Sequence, residues 1–301
     1  MYGSLQIPGS ARQFHDRIYA GDIIRIAELP AMTALVALTR AWLEDALHPW
    51  APPEIHRYLS HDEQTLRFAQ CQNAFARSKE VREHWRAVVE SLGLAADALA
   101  CDRLHLRFQP HREPRQSMPR ARTTATIAFH RDTWGSNLYA QTNWWAPIYP
   151  ITTGRTFALY PHLWQQALRN CSADFDMRAI LERSHRDGRN AVDADEAIPH
   201  LLEAIDPQQG VAVDIAPGSL IAFSGAHAHA GVGNSTGLTR ISFETRSVLI
   251  DDVLAGLGAP NIDGHAPWRT PGLFRRMSDT RRLNEILGCG FMEPYRRPQN
   301  R

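Results

Sequence analysis

The sequence of 301 residues is poor in lysine and in cysteine. Lys79 is the only lysine, so arginine supplies the other basic residues, and the formal net charge is only +1. A charge this close to zero neither requires nor excludes nucleic acid or a membrane surface as a partner. The four cysteines are widely spaced and form no C-x-x-C pair, which argues against structural zinc and a dense disulfide framework. They are Cys71, Cys101, Cys171 and Cys289.

Long apolar runs are also lacking. No uninterrupted apolar stretch approaches the roughly 20 residues that span a bilayer. The first residues show no basic segment followed by an apolar run, so we do not expect a secretory signal. A hydrophobic fraction of 44% and a charged fraction of 22% are typical of a soluble globular protein. We therefore expect a cytoplasmic protein with no transmembrane segment, and the sequence leaves its oligomeric state open.

The first hundred residues have mainly helical patterns. Residues 21–27 are typical of a strand, and Pro30 opens a leucine-rich helical pattern that continues to residue 47. A second helix is expected over residues 78–90, with Ser78 as its N-cap. We expect residues 1–100 to supply one strand and helices that pack against a sheet.

Residues 101–250 have the pattern of a mainly β domain. Short strands are predicted at 103–109, 123–129, 137–147, 154–161, 211–215, 219–225 and 238–250. Residues 168–210 interrupt them with a short helix and a polar stretch, which is typical of a lid or binding loop. The C-terminal part, 251–301, is predicted to be helical, mainly over 272–287. We expect a single domain, residues 1–301.

Two histidines and a carboxylate are the strongest candidates for a metal site. His130 and Asp132 close an apolar run, and on a strand their side chains point to the same face. A second apolar run leads to His227 and His229, which also share a face, so alternation alone does not choose between them. Two histidines and one carboxylate form the facial triad of non-haem iron(II) enzymes, which leaves positions open for oxygen and an organic cosubstrate.

A carboxylate-binding pair follows the second histidine motif. Arg240 and Ser242 lie on one face of an alternating strand, and a guanidinium with a nearby hydroxyl suits a carboxylate. Arg246 shares that face and is the alternative carboxylate partner, or else an ordinary ion-pairing residue.

The motifs His130-x-Asp132, His229 and Arg240-x-Ser242, with Gly231 and Asn234 between the last two, resemble those of iron(II)/2-oxoglutarate-dependent oxygenases. Phytanoyl-CoA-hydroxylase-like members are the most similar, over residues 103–250. The resemblance implies a double-stranded β-helix (jelly-roll, cupin-like) core flanked by helices.

In that family pattern, His130, Asp132 and His229 would bind iron(II), and Arg240 with Ser242 would bind the distal carboxylate of 2-oxoglutarate. The motif interval favours His229 over His227 as the ligand. Oxygen would be the co-reactant and ascorbate a stimulant. Asp132 stands where the halogenating members have a small residue, so hydroxylation is favoured over halogenation.

Four further residues are candidates for binding cosubstrate or substrate. Gln141 and Asn143 share the polar face of the predicted strand 137–147, which faces either solvent or the cavity. Arg107 and Trp134 are the substrate-binding candidates. Arg107 belongs to a segment with one acid, Glu113, and six arginines, which favours an anionic small molecule over nucleic acid. The arginines are Arg103, Arg107, Arg112, Arg115, Arg120 and Arg122.

The predicted function is hydroxylation of an anionic small molecule. An acidic sugar such as 3-deoxy-D-manno-octulosonic acid of lipopolysaccharide, or a natural-product or amino-acid-like intermediate, is the expected substrate class. The alternatives are a non-catalytic β-barrel that senses a metal or small ligand, and the same cofactor chemistry with desaturation, cyclisation or demethylation as its outcome. A predicted helix with the pairs Arg275-Arg276 and Arg281-Arg282 leaves peripheral contact with an acidic membrane open.

Overall fold

The computed structural model describes residues 10–113, 121–188 and 191–295. Its strands are β1 (Ile24–Ile26), β2 (Leu99–Cys101), β3 (His105–Gln109), β4 (Gln141–Pro147), β5 (Phe157–Leu159), β6 (Val211–Ala212), β7 (Leu220–Ser224), β8 (His229–Gly231), β9 (Arg240–Leu249), β10 (Trp268–Arg269), β11 (Arg275–Arg276) and β12 (Glu293–Pro294). Its α-helices are α1 (Ala11–Tyr19), α2 (Pro30–Ala46), α3 (His61–Arg77), α4 (Lys79–Ser91), α5 (Thr133–Ser136), α6 (Met177–Asp187), α7 (Ile250–Ala255) and α8 (Leu283–Leu287).

Two antiparallel sheets form the centre of the fold. The larger sheet has the order β1-β7-β4-β9-β2-β11, and β3 also pairs with β9. The smaller sheet has the order β6-β5-β8. Trp145 of the larger sheet packs on Phe157 of the smaller sheet, with ring centroids 5.0 Å apart. The predicted fold class, a mainly β jelly-roll core with flanking helices, is confirmed.

Alternation along β4 separates the two layers of the core. Trp144 points to the outer face of the larger sheet, where its ring stacks on Phe14 of α1 at 5.4 Å and meets Trp85 of α4 at 5.7 Å. Trp145, the next residue, points inward between the sheets. Successive side chains of a strand point to opposite faces. The helices therefore cover one face of the larger sheet and leave its inner face for a site.

The predicted helices of the N-terminal part are confirmed. Pro30 begins α2, where its missing N–H costs nothing because the first amides of a helix have no partner within it. Ser78 caps α4 by accepting a hydrogen bond from the Val81 amide at 3.2 Å. Ser60 and Glu63 form a reciprocal capping box at the start of α3.

Three predictions of secondary structure are wrong. Residues 123–129 form a turn and an irregular segment, with no strand. Residues 137–140 precede β4 because Asn137, with φ of 49°, reverses the chain after α5. Most of residues 272–287 is not helical, since β11 pairs with β2 there and α8 is the only α-helix that the structure describes in this range. Tertiary strand pairing has overridden the local helical pattern.

The insertion 168–210 contains the predicted short helix, α6, which Asp176 caps through the amides of Arg178 and Ala179. A single antiparallel bridge, Ala121 with Asp193, joins the insertion to the segment that leads to His130, and a second bridge, Asn170 with Leu201, lies within the insertion. Its predicted role as a lid and the single-domain division stay predictions. Among the described helices, none combines the length and apolar character needed to cross a bilayer.

Candidate iron and cosubstrate site

Reciprocal backbone hydrogen bonds join His130 to His229. The amide of each residue donates to the carbonyl of the other at 3.0 Å. This bridge brings the two imidazole rings to a centroid distance of 4.2 Å. Gly231 allows β8 to lie close to the backbone of Ile127. A Cβ at residue 231 would lie 2.8 Å from a methyl carbon of Thr126 and 3.1 Å from the Ile127 nitrogen.

Asp132 is placed at the site by a different structural element from the one predicted. It does not share a strand with His130 but stands at the N-cap of α5, and its carboxylate makes no capping bond. The carboxylate instead turns towards His130, where Oδ1 lies 3.6 Å from Nε2. The strand-alternation argument was wrong, yet the two side chains do converge.

His130, Asp132 and His229 form a group that can hold a metal ion. One ligand atom from each residue lies within 4.8 Å of the other two. The His130 Nδ1 lies 2.8 Å from the Ala128 carbonyl and the His229 Nδ1 lies 3.0 Å from the His227 carbonyl. A carbonyl only accepts hydrogen bonds, so each Nδ1 carries the proton and each Nε2 keeps its lone pair for a metal.

His227, the alternative ligand, is placed elsewhere. Its side chain is fully buried, and its Nε2 lies 2.8 Å from the Gly21 carbonyl. Its ring packs against Trp164, with ring centroids 4.4 Å apart and the ring planes tilted by 35°. The choice of His229 over His227 therefore agrees with the geometry.

The protonation states of the group suit a cation. Burial, together with the neighbouring His130, lowers the pKa of His229 to about 4, so the imidazole is neutral above that pH. Burial alone would raise the pKa of Asp132, but its contact with His130 and the charge of Arg246 outweigh that effect and hold the pKa below its usual range. Neutral imidazoles and an ionised carboxylate are the forms that bind metal.

Gln141 and Asn143 lie behind the metal-binding group. The Asn143 amide nitrogen donates to Asp132 Oδ2, and Gln141 donates to Asn143 Oδ1 at 2.8 Å. Both side chains are buried, so their face of β4 lines the cavity and not solvent. These contacts orient the Asp132 carboxylate, and Gln141 Oε1 in turn accepts a hydrogen bond from Ser136 Oγ at 3.3 Å.

Arg240 and Ser242 lie side by side on the inner face of β9, as the alternation predicts. Both are buried, and the Nε of Arg240 and the Oγ of Ser242 have no hydrogen-bond partner in the described structure. Arg240 does donate from Nη1 to the Thr156 carbonyl at 2.6 Å, which fixes the guanidinium. Burial lowers the pKa of Arg240 to about 10, so it stays charged at neutral pH. Unpaired buried donors are costly, which favours a bound anion.

The two substrate-binding candidates differ in their surroundings. Arg107 lies opposite Ser242 on β3 and pairs with Glu244 at 2.6 Å, so it faces the cavity with its charge already neutralised. Trp134 is fully buried, and its ring nitrogen donates to Asp263 at 2.8 Å. These contacts favour a packing role for Trp134. Arg115 and Arg120 of the predicted basic segment lie outside the described residues.

Sequence reasoning undervalued two groups at the site. Arg246 pairs with Asp102, and its Nη1 lies 3.7 Å from Asp132 Oδ1. The position of Arg246 on the same face of β9 as Arg240 was the sequence signal that could have identified it. No sequence signal identified Asp102 as its partner. Arg122 counted only as one arginine of the basic segment, and burial, with the charges of Arg107 and Arg246, lowers its pKa to about 10.

Comparisons with protein-family models and with curated proteins find no match for this chain. Solved structures do match. EvdO2 from Micromonospora carbonacea var. aurantiaca, solved with 2-oxoglutarate, is 14% identical with a TM-score of 0.45, over 83% of this chain and 94% of that chain. The epimerase SnoN, solved with Fe3+, alpha ketoglutarate and nogalamycin RO, is 17% identical with a TM-score of 0.44, over 87% and 98%.

The carbocyclase SnoK from nogalamycin biosynthesis, described as non-heme and alpha ketoglutarate dependent, is 16% identical with a TM-score of 0.44, over 90% of this chain and 98% of that chain. These neighbours are 2-oxoglutarate proteins. They come from the superfamily predicted from the sequence motifs, while a phytanoyl-CoA-hydroxylase-like subfamily stays a prediction. At these levels of similarity, the function of the present chain must be argued from its own side chains.

Proposed function

We propose that this protein is an iron(II)/2-oxoglutarate-dependent oxygenase that hydroxylates an anionic small molecule. The observation that carries the proposal is that two features lie on the inner side of the core. His130, Asp132 and His229 form a three-residue group that can hold a metal, and the Nε of Arg240 and the Oγ of Ser242, both without a partner in the described structure, lie on the inner face of the larger sheet. A facial triad leaves coordination positions free, and a nearby carboxylate receptor supplies the second half of a 2-oxo acid site.

The donor set fits iron(II). Two imidazole nitrogens and one carboxylate oxygen are borderline and hard ligands, and the described part of the chain offers no thiolate to this group. A structural zinc site closes its shell with four protein ligands, usually including cysteine. Three protein ligands would leave coordination positions for a chelating cosubstrate and for oxygen.

The cavity also fits 2-oxoglutarate. A buried guanidinium edge and a serine hydroxyl, both without partners, suit a carboxylate that enters from the cavity. When bound, iron(II) and 2-oxoglutarate supply the oxidation, in which dioxygen is reduced while 2-oxoglutarate becomes succinate and carbon dioxide.

The chain's own residues position and shield that chemistry. Asn143 fixes the Asp132 carboxylate, and the two carbonyl contacts fix the imidazole rings. Phe223 packs at 5.5 Å and Phe157 at 6.2 Å from the His229 ring, measured between centroids, so apolar rings line that side of the metal group and exclude water.

The alternatives share the cofactors or the fold. SnoN and SnoK carry the names epimerase and carbocyclase, so a different outcome of the same oxidation is the nearest rival. A metal or ligand sensor with the same fold has no need of the free Nε of Arg240 and the free Oγ of Ser242 that the described structure shows, which favours an enzyme.

Succinate formation tests the proposal. The iron(II)-loaded protein should convert 2-oxoglutarate to succinate in air, and candidate acids should accelerate the conversion and gain one oxygen atom. His229→Ala should abolish turnover, whereas His227→Phe, which keeps an aromatic ring against Trp164, should retain it if it folds. Full turnover by the folded His229→Ala variant would refute the assignment of the triad.

A further inference from the structure

Arg246 of β9 bridges two carboxylates from different parts of the chain. Its Nε donates to Asp102 Oδ2 at 2.9 Å, and its Nη2 donates to the same oxygen. Its Nη1 lies 3.7 Å from Oδ1 of Asp132, one of the three candidate iron ligands. In a planar guanidinium, the edge formed by Nε and Nη2 is opposite Nη1. Asp102 therefore lies behind the guanidinium of Arg246, and the metal-binding carboxylate lies in front of it.

Strand pairing fixes both ends of this bridge. Arg246 is the direct cross-strand partner of Asn143, the residue that donates to Asp132 Oδ2. The amide of Asp102 donates to the Arg246 carbonyl at 2.8 Å, where the chain leaves β2 beside β9. The guanidinium also lies over the Phe274 ring, 6.0 Å from its centroid. The position of this positive charge is therefore set by the sheet.

The two oxygens of Asp132 have different neighbours. Oδ2 accepts the hydrogen bond from Asn143. Oδ1 lies 3.6 Å from His130 Nε2, the nitrogen that keeps its lone pair for a metal, and 3.7 Å from Arg246 Nη1. Oδ1 is thus the oxygen turned towards the ligand atom of His130. A distance of 3.7 Å is too long for a hydrogen bond, so Arg246 acts on this oxygen through its charge.

A cation at this position discriminates between the two oxidation states of iron. Iron(III) carries one more positive charge than iron(II), so a neighbouring guanidinium repels it more strongly. The guanidinium also draws electron density from the Asp132 carboxylate, and a weaker donor stabilises the higher charge less. Asp102 opposes both effects, but from the far edge of the guanidinium. The pair of Arg246 and Asp102 therefore presents its positive end to the metal-binding group.

We propose that Arg246 is a positioning residue that acts on the metal through Asp132 and favours the iron(II) state, while Asp102 limits the strength of this effect. The inference rests on the metal half of the proposed function and adds control of the oxidation state to it. The proposed reaction starts from iron(II), so a site that favours this state keeps more of the protein ready for turnover in air.

The midpoint potential of the iron(III)/iron(II) couple tests the inference. The full chain is loaded with iron(II) under argon, without 2-oxoglutarate, and titrated with redox mediators while the electron paramagnetic resonance signal of iron(III) is recorded. Arg246→Gln removes the nearer charge, so we expect it to favour iron(III) about tenfold relative to wild type, a potential lower by ~59 mV for one electron. Asp102→Asn removes the opposing charge and should raise the potential.

The opposite signs of these two shifts separate the proposal from a purely structural role. Both substitutions break the same pair and both should reduce stability, so a loss of structure alone predicts shifts of the same sign. Arg246→Lys keeps the charge and should have a potential closer to that of wild type than to that of Arg246→Gln. If Arg246→Gln does not fold, Asp102→Asn/Arg246→Gln is compared with Asp102→Asn and should favour iron(III) about tenfold more.

Arg269→Gln is the matched control. The Arg269 side chain is 27% exposed, against 28% for Arg246, and it pairs with Glu293 of β12. Its removal breaks an ion pair of similar exposure in the small sheet of β10 and β12. We expect the midpoint potential of this variant to equal that of wild type.

Four outcomes would overturn the inference. They are a chain that binds no iron, equal potentials in wild type and Arg246→Gln, shifts of the same sign in Arg246→Gln and Asp102→Asn, and a shift in Arg246→Lys as large as that in Arg246→Gln. The measurement needs no 2-oxoglutarate, so it is separate from the cosubstrate half of the proposed function. Opposite shifts without any succinate formation would support the inference and refute the oxygenase. Succinate formation with equal potentials in all variants would do the reverse.

Discussion

Asn143 donates a hydrogen bond from its side-chain amide to Oδ2 of Asp132, eleven residues earlier in the chain. The bond joins the centre of β4 to the start of α5, and Gln141 holds Asn143 from behind. Asp132 is therefore fixed by the sheet and not by its own short helix. A ligand oriented in this way needs no rearrangement when a metal binds.

Asn143→Leu should weaken iron binding. The substitution removes the donor that holds Asp132 and leaves the size of the side chain nearly unchanged, so we expect about 10–100-fold lower affinity. Gln141→Leu acts one residue further away and should have a smaller effect. Metal affinity of the folded variants is measured by competition with a chromophoric chelator, using cobalt(II) in air. Wild-type affinity in Asn143→Leu would show that the bond does not position the ligand.

Arg246→Gln should destabilise the protein because it leaves Asp102 without its cation. The Asp102 side chain is only 7% exposed and the Arg246 side chain 28%. Breaking a buried pair at one partner costs about 3 kcal/mol. The double variant Asp102→Asn/Arg246→Gln should recover part of that loss in urea unfolding. Strict additivity of the two single substitutions would contradict the pairing.

The two faces of β9 should behave differently. Ser242→Ala should weaken 2-oxoglutarate binding about 5–10-fold, because it removes one hydrogen bond of about 1 kcal/mol. Ser247 lies on the opposite face and accepts from Trp144 at 2.8 Å, so Ser247→Ala should reduce stability and leave 2-oxoglutarate affinity unchanged. Isothermal titration calorimetry of both variants with 2-oxoglutarate measures the two affinities. Equal effects on cosubstrate affinity would place the 2-oxoglutarate site elsewhere.

The inner face of β9 could be predicted from the sequence because the alternation of side chains along a strand is a local pattern. Residues two apart on a strand point to the same face, so Arg240 and Ser242 could be paired from the sequence alone. The position of His130 could not be, since it depends on a backbone bridge to His229, 99 residues later by their numbers. Long-range pairing leaves no periodic signal in the sequence.

Acid should destabilise the fold through His15. Its side chain is fully buried and neither ring nitrogen has a hydrogen-bond partner within the described structure. Burial lowers the pKa of His15 to about 4, from 6.5, against the opposing charge of Asp252. Between these values the unfolded chain binds the proton and the folded chain does not. The contribution of His15 to stability is therefore present above pH 6.5 and lost as the pH falls towards 4.

The size of this loss is on the order of 3 kcal/mol for the fully buried ring. Urea unfolding of wild type and His15→Phe at pH 7.5 and at pH 4.5 provides the measurement. We expect the difference between the two pH values to shrink in His15→Phe, which keeps the aromatic contacts with Phe14 and Tyr19. An unchanged difference would assign the acid sensitivity to other groups, such as His227.

The central claim, that the triad holds iron(II) next to a 2-oxoglutarate receptor, has a direct optical test. The iron(II)-loaded protein is titrated with 2-oxoglutarate under argon, and the visible charge-transfer band of a chelated 2-oxo acid is recorded. We expect the band in wild type, no band in Asp132→Ala, and a band that needs more 2-oxoglutarate in Ser242→Ala. No band in wild-type protein shown by metal analysis to contain iron would contradict the account and remove the role assigned to Arg240.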